Sequence, residues 1–251
     1  SRAVTVAGSL LNKKTSVVYK QTIRKEYEDF RNKFLQRQVR KELLSIKSAR
    51  KNKIKLNWEE FEPSIPKKCG ITITKNQNLE ELIRYIDWSP FFRSWDLHGR
   101  YPEILEDKIV GKQAKELFFD ANYLLKKILK DKSLKAKSIF GLFPANSVGD
   151  DIEVYSPNDK SEHIGTFYTL RQQLMKRNDK PNFALSDFIA PKKNGYNDYI
   201  GIFCVTTGIG VNKLSKYYEN KNDDYNSIMV KALADRLAEA YAEYLHKKVR
   251  T

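Results

Sequence analysis

Apolar positions recur at helical spacing in three stretches of the chain. In residues 17 to about 50, Ile23, Tyr27, Phe30 and Phe34 return at steps of three and four among Arg, Lys, Glu and Asp, which predicts one or two helices with one packed face. Between Gly111 and Leu129 the stripe Ala114, Leu117, Phe118, Ala121, Leu125 and Ile128 predicts a helix, with Lys112, Lys115, Lys126 and Lys127 turned outward. From Asn226 to about Val249, Met229, Leu233, Leu237, Ala240, Tyr241 and Tyr244 fall within about 120° when each residue advances ~100°. A period of two replaces the helical one after residue 130. Ser138 to Phe143, Ile152 to Tyr155, Ile164 to Leu170 and Tyr199 to Thr206 are short runs of Ile, Val, Phe and Tyr bounded by Pro, Gly, Asn and Asp, and read as strands. Ile71 to Thr74 reads as a further short strand and Leu79 to Ile86 as a short helix, after an irregular connector marked by Pro63, Pro66 and Gly70. Helices, then strands, then a helix give an α+β domain whose helices cover an antiparallel sheet.

Charge alters this picture regionally. Residues 1–57 carry sixteen Lys and Arg against four Asp and Glu, a net of +12; the other residues carry thirty against twenty-seven, only +3. Such a field attracts nucleic acid, an anionic membrane surface or an acidic protein, and composition alone does not choose among them. The run Arg50 to Lys55 reads as a solvated turn rather than a binding tract. No stretch approaches the ~18 uninterrupted apolar residues of a membrane-spanning helix, and Val4 to Leu11 is too short and lacks a basic leader. Cys69 and Cys204 have no paired spacing, so neither a disulfide framework nor a zinc site is suggested, and a reducing cytoplasm is the default compartment. The eleven glycines are scattered, which disfavours a nucleotide loop and a Rossmann-type cofactor fold. The chain opens on Ser1 and stops at Thr251 directly after a helical pattern, which reads as a piece of something longer.

Three constellations carry possible chemistry. Arg236, Glu239, Glu243 and His246 lie within about 80° of one another on the border of the last helix's apolar face, where they form either an ordinary helical ion-pair stripe or the lining of a cleft. Tyr85 to Trp95 is the densest aromatic patch and contains one acid, Asp87. Ring faces and a carboxylate suit a cationic ligand; a core edge with Asp87 capping a turn accounts for the same residues. Asp150 and Asp151 join two predicted strands, and a polar turn explains them more simply than a metal site or proton transfer. His98, His163 and His246 lie far apart in sequence, and no serine or cysteine nucleophile with a matched base stands out.

These residues, in their order, resemble a known family. Ile86-Asp87-Trp88-Ser89-Pro90-Phe91-Phe92, Trp95 with Gly99-Arg100-Tyr101-Pro102, and Gly141-Leu142-Phe143-Pro144-Ala145-Asn146 with Gly149-Asp150-Asp151-Ile152 are similar to the activation domain of cobalamin-dependent methionine synthase. So are Leu170-Arg171-Gln172-Gln173, Leu185-Ser186-Asp187-Phe188-Ile189-Ala190-Pro191, Asp198-Tyr199-Ile200-Gly201, and Asp223-Asp224-Tyr225-Asn226 leading to Leu233-Ala234-Asp235-Arg236-Leu237-Ala238-Glu239-Ala240. Ser1 to Leu11 resembles the join to a preceding cobalamin-binding domain, which makes residues 1–16 a linker and 17–251 an activation domain incomplete at its C-terminus.

The resemblance implies a C-shaped α+β domain with a twisted antiparallel sheet. It also implies a repair function: binding S-adenosylmethionine and supporting reductive methylation of cob(II)alamin to methylcobalamin, within methyl transfer from methyltetrahydrofolate to homocysteine. By motif match Asp87 accepts the ligand's ammonium group, and Arg236 and Glu239 are cleft residues on the last helix. The implied cobalamin is held mainly by another domain of the same polypeptide, and zinc is expected only elsewhere in the parent enzyme. The implied electron donor is a flavodoxin or a diflavin reductase, and the basic N-terminal third would steer such an acidic partner. No membrane role follows, and nucleic acid remains the alternative partner on charge alone. One departure stands out: the family's Arg-Pro-Ala-x-Gly-Tyr-Pro segment, which grips the ligand, does not occur before Thr251. The expectation is weak or absent ligand binding by this piece, no general base, and no catalytic side chain.

Overall fold

The computed structural model describes residues 2–37, 42–60, 63–176 and 180–251. Two compact units emerge. The first comprises residues 1–60, 149–151 and 168–188, and the second comprises 61–148, 152–167 and 189–251.

In the first unit, α1 (Arg2–Leu11) and α2 (Ser16–Arg37) are followed by α3 (Ile46–Lys51), whose N-cap Ser45 accepts a bond from the Ser48 amide. Residues 38–41 of the expected helical stretch lie outside the described residues. The face expected to pack does not: Tyr27, Phe30 and Phe34 are 65%, 71% and 63% exposed. A helix of ten residues, about 15 Å long, cannot cover a 22-residue partner of about 33 Å. The chain from 168 to 188 lies against α3, with Leu43 bridging Leu174 and the Asn182 amide donating to the Asn52 carbonyl over 2.8 Å.

The second unit holds the sheet. β1 (Gly70–Gln77), β2 (Lys135–Val148), β3 (Asp151–Tyr155) and β4 (His163–Tyr168) are paired in that order, and β5 (Asp198–Ile209) also pairs with the long β2. β1 runs antiparallel to β2 with Ile73 opposite Ile139, and β5 antiparallel to β2 with Cys204 opposite the same Ile139. The predicted strand at 138–143 therefore extends further, through Pro144, at both ends. β1 makes its last pairing at Leu142, so the missing proline N–H breaks no bond on that side.

Helices α4 (Glu80–Ile83), α5 (Trp88–Ser94), α6 (Gly111–Lys130), α7 (Val211–Glu219) and α8 (Asp224–Arg250) complete the unit, so the α+β reading holds. α6 buries Ala114, Leu117, Ala121, Leu124, Leu125 and Ile128, and α8 buries Met229, Val230, Leu233, Leu237, Ala240 and Tyr241. These stripes meet Leu82, Phe91, Phe92 and Ile104 in one core. At 25 cal/mol per Å² each fully covered Leu or Phe contributes roughly 1.5–3 kcal/mol. α8 is tied to the sheet by Tyr241 Oη, which donates to Ser138 Oγ over 2.7 Å, and by Thr207 Oγ1, which donates to the Ala234 carbonyl over 2.6 Å. Among the described residues, no helix is long and apolar enough to cross a membrane.

Candidate functional site: α5 beside α8

Asp87 begins α5 as its N-cap. Its backbone is extended, and Oδ1 accepts the Ser89 amide over 2.9 Å, satisfying one of the free donors of the first turn. The carboxylate is exposed, and among the described residues Oδ2 receives no bond. The rings that follow turn inward. Trp88, Phe91 and Phe92 are buried; Trp88 stands edge-on to Phe91 at 5.3 Å and to Phe118 at 4.8 Å. This corrects the aromatic-wall reading for these three rings, which belong to the core, while Tyr85 and Trp95 remain half-buried and the acid faces solvent. The cause is local: Asp87 stops the preceding turn, and the next three apolar residues then occupy one side of a seven-residue helix.

Two ring contacts fix this segment along α8. Tyr85 meets Tyr244 at 5.6 Å and Trp95 meets Tyr225 at 5.1 Å, so the chain from 85 to 95 runs antiparallel to the final helix. Arg236 and Glu239 lie on the part of α8 between those contacts, as Asp87 lies between them in the other strand of chain. Arg236 is held on both sides: Nη2 donates to Asp235 Oδ2 over 2.7 Å, and Nη1 donates to Glu239 Oε2. Its side chain is only 15% exposed, whereas Glu239 and Asp235 are open to solvent. The pair is thus the helical ion pair that spacing suggests, with Asp235 as an unforeseen second acid. A neighbouring i, i+1 acid is not normally presented to the same side chain, and the long guanidinium reaches it only by folding back along the helix.

The rest of the border stripe points elsewhere. Glu243 is exposed, and His246 stands against the ring of Phe203 at 5.1 Å. Tyr244 Oη donates to Glu81 Oε2 over 3.0 Å; burial and then that carboxylate hold the phenol above its ordinary pKa. Three cavities open on this unit. One of about 670 Å³ is lined by Asn76, Gln77, Asn78, Glu80, Lys132 and Lys135; one of about 230 Å³ by Phe140, Leu142, Phe203, Leu245 and His246; one of about 250 Å³ by Phe143, Val154, Ile164 and Phe167. None of the three is lined by Asp87, Arg236 or Glu239.

In the first unit the acidic turn has a structural occupation. Arg171, fully buried, donates Nε and Nη2 to Asp150 Oδ1 over 2.9 and 2.7 Å and both Nη groups to Asp187 over 2.7 Å. A further Nη1 bond reaches the Asn182 carbonyl over 2.7 Å, and Arg50 Nε reaches Asp150 Oδ2 over 2.8 Å. Arg50 is thus engaged rather than merely solvated. Burial pushes the Asp150 carboxyl up, and the bonds from Arg171 and Arg50 outweigh it, so its pKa lies below the ordinary value. Arg171 and Asp187 appear in the sequence only as part of the family motifs, and their pairing is not visible there, since the bonded ion partners are 16 to 100 positions apart. Among the described residues no group of three or more His, Cys, Asp or Glu is placed to hold a metal ion.

Comparison with known proteins sets these features in context. A crystal structure described as "the MetH Reactivation Domain bound to AdoHcy" matches at 47% sequence identity with a TM-score of 0.78, over 83% of this chain and 63% of that one. The present chain thus spans less than two thirds of the relative's length. The family model for the vitamin B12-dependent methionine synthase activation domain matches residues 78–251, a range that contains α5, α8 and strands β2 to β5 but not β1. On that match, the chain belongs to the activation-domain family of vitamin B12-dependent methionine synthase.

Proposed function

We propose that the α5–α8 surface of this chain takes part in binding S-adenosylmethionine, with the weak affinity expected of this piece, and, within a cobalamin-dependent methionine synthase, supports reductive methylation of cob(II)alamin. The observation that carries the reading is the pairing of a half-free Asp87 carboxylate with an Arg236–Glu239 ion pair on the adjacent helix, in a chain similar to a reactivation domain bound to AdoHcy.

The ligand carries an ammonium, a carboxylate and a sulfonium. Asp87 has an acceptor oxygen left for the ammonium after capping α5, and a charge-assisted bond there is the strongest single contact the site offers. Glu239, fixed by Arg236, places a second negative group near the sulfonium without needing to be rebuilt on binding. Arg236, fixed between Asp235 and Glu239, holds that acid in one position. Cobalamin, carried by another domain, supplies the nucleophile, so these side chains have only to bind, orient and exclude water. No residue of this chain is assigned a proton-transfer role.

An acidic flavoprotein is the proposed reductant, and methyl transfer from methyltetrahydrofolate to homocysteine belongs to the parent enzyme. Asp87→Asn tests the ligand assignment. Losing a hydrogen bond to a charged group costs about 1.5–3 kcal/mol, so the dissociation constant for S-adenosylhomocysteine should rise roughly 10- to 150-fold with no change in folding. An unchanged affinity would remove Asp87 from the site.

A further inference from the structure

The cavity of about 670 Å³ lies where α6 gives way to β2, with the end of β1 and the start of α4 as its other wall. Two local departures from regular structure open it. After the last turn of α6 the Lys132 amide donates to the Leu129 carbonyl over 3.2 Å and the Ser133 amide to the Ile128 carbonyl over 3.1 Å, which turns the chain sharply towards β2. Lys132 sits there at φ 49°, the left-handed position that ordinarily goes to Gly or Asn at a helix end. The sheet is irregular at the same level on both sides of β2. Its pairing with β1 shifts between Thr74 and Gln77, and its pairing with β5 shifts between Lys135 and Lys137. Irregularities of this kind bend a strand and re-aim its side chains, and they gather beside binding sites.

The lining combines two chemistries. Leu79, Ile128, Leu134 and Ala136, each at most 7% exposed, form an apolar floor. Asn76, Asn78, Lys132 and Lys135 stand at the exposed edge. Gln77 is held by its Nε2, which donates to Glu81 Oε2 over 2.7 Å, and Asn78 by its Oδ1, which accepts the Glu80 amide over 3.0 Å. That wall is therefore built before any ligand arrives. Among the described residues, the ammonium groups of Lys132 and Lys135 and the side-chain amide of Asn76 have no hydrogen bond or ion pair. Among the described residues that line the cavity, Glu80 is the one carboxylate.

We propose that this cavity binds a small organic anion, an apolar body that carries a carboxylate or a phosphate group. The site shares no residue with the α5–α8 surface and does not depend on the function proposed there. The floor covers the body, and two unpaired ammonium groups against one carboxylate favour a negative headgroup over a positive one. Lysines leave the choice between carboxylate and phosphate open, since an ammonium acts as a point charge without the planar match of a guanidinium. Ligand cavities run from roughly 300 to 1,000 Å³, so this volume suits a molecule of metabolite size. Compensation of the negative end of α6 accounts for a lysine at 132, but it explains neither the apolar floor nor Lys135, which stands on β2.

Hexanoate and hexyl phosphate, titrated into the isotope-labelled chain and followed by backbone amide shifts, test the assignment. Saturable shifts should cluster at residues 76–80 and 128–136, and hexylammonium at the same concentrations should produce none. Saturation by only one of the two anions upholds the site and fixes its headgroup. Lys132→Gln/Lys135→Gln should raise the dissociation constant at least tenfold, the loss expected when two charge-assisted bonds go. Glu80→Gln should lower it severalfold by removing the opposing charge. Asn76→Trp, at an exposed position, should fill the cavity and abolish binding without lowering the melting temperature, which keeps the test decisive if the lysine variant fails to fold. Failure of both anions to saturate, equal shifts with hexylammonium, or shifts spread over residues 1–57 with the same midpoint would overturn the proposal. So would an affinity unchanged in both the lysine variant and Asn76→Trp. Displacement of either anion by S-adenosylhomocysteine would overturn it too, by making the cavity part of the methyl donor's own site.

Discussion

Replacing Arg171 with methionine removes the guanidinium that joins the acidic turn at Asp150 to the chain around Asp187. Five donor contacts of 2.7–2.9 Å disappear at once, and Asp187, whose side chain is 4% exposed, is left with a buried charge and no cation. Breaking a buried pair by removing one partner costs about 3–5 kcal/mol, far above the ~0–1 kcal/mol of a surface pair, because desolvation is no longer offset. Asp150 suffers less, since it is 11% exposed and keeps the bond from Arg50. Urea denaturation of Arg171→Met should therefore show a loss of about 3–5 kcal/mol, with hydrogen exchange accelerated first in residues 168–188. The double variant Arg171→Met/Asp187→Leu should regain at least half of it, because both charges leave together. A single variant that loses less than about 1 kcal/mol would refute the reasoning, as it would show a cluster solvated like a surface pair.

Other consequences concern pH and backbone. Because Asp150 has a folded-state pKa below its ordinary 3.8, its contribution is present above that value and is lost as pH falls through the lower one; urea stability measured from pH 5 downward should decline there, and less steeply in Asp150→Asn. Tyr225, which donates to Asp120 over 2.9 Å, is pushed up to about 12 by burial and then by that carboxylate. Stability should therefore fall between about pH 10 and 12, and absorbance titration should find a phenol ionising near 12 that moves part of the way down in Asp120→Asn. Gly210 caps α7 with φ at 105°, and a Cβ there would press on the Ser133 carbonyl oxygen. Gly210→Ala should cost about 1–3 kcal/mol in the same denaturation assay.

Much of the second unit is legible in sequence because it obeys one period at a time. The stripes of α6 and α8 are long enough for 3.6-residue spacing to separate core from solvent, and Met229, Leu233, Leu237, Ala240 and Tyr241 are all buried where spacing puts them. α5 is not legible as a helix: seven residues are too few for a 3.6-residue period to stand out, and only the Asp87 cap before Ser89-Pro90 signals its start. α7 is hidden for a similar reason, being short and entered through Gly210. The stripe on α2 is read correctly as a stripe, but whether it packs depends on what lies beside it, which periodicity does not encode. At the candidate site the residue types were recoverable, and their arrangement was not. Asp87 is visible as a turn-capping acid and Arg236 with Glu239 as a helical pair, while their alignment comes from Tyr85 on Tyr244 and Trp95 on Tyr225, contacts spanning 159 and 130 positions. The ion cluster of Arg50, Asp150, Arg171 and Asp187 is likewise a product of tertiary folding alone.

The most direct test is a titration of the isotope-labelled chain with S-adenosylmethionine, followed by backbone amide shifts. Saturable shifts should cluster at residues 87–89 and 235–240 in the wild type and require at least tenfold more ligand in Asp87→Asn, while the amides of residues 168–188 stay still in both. Shifts confined to residues 1–57, or a titration in Asp87→Asn with the wild-type midpoint, would contradict the assignment of this surface to the methyl donor.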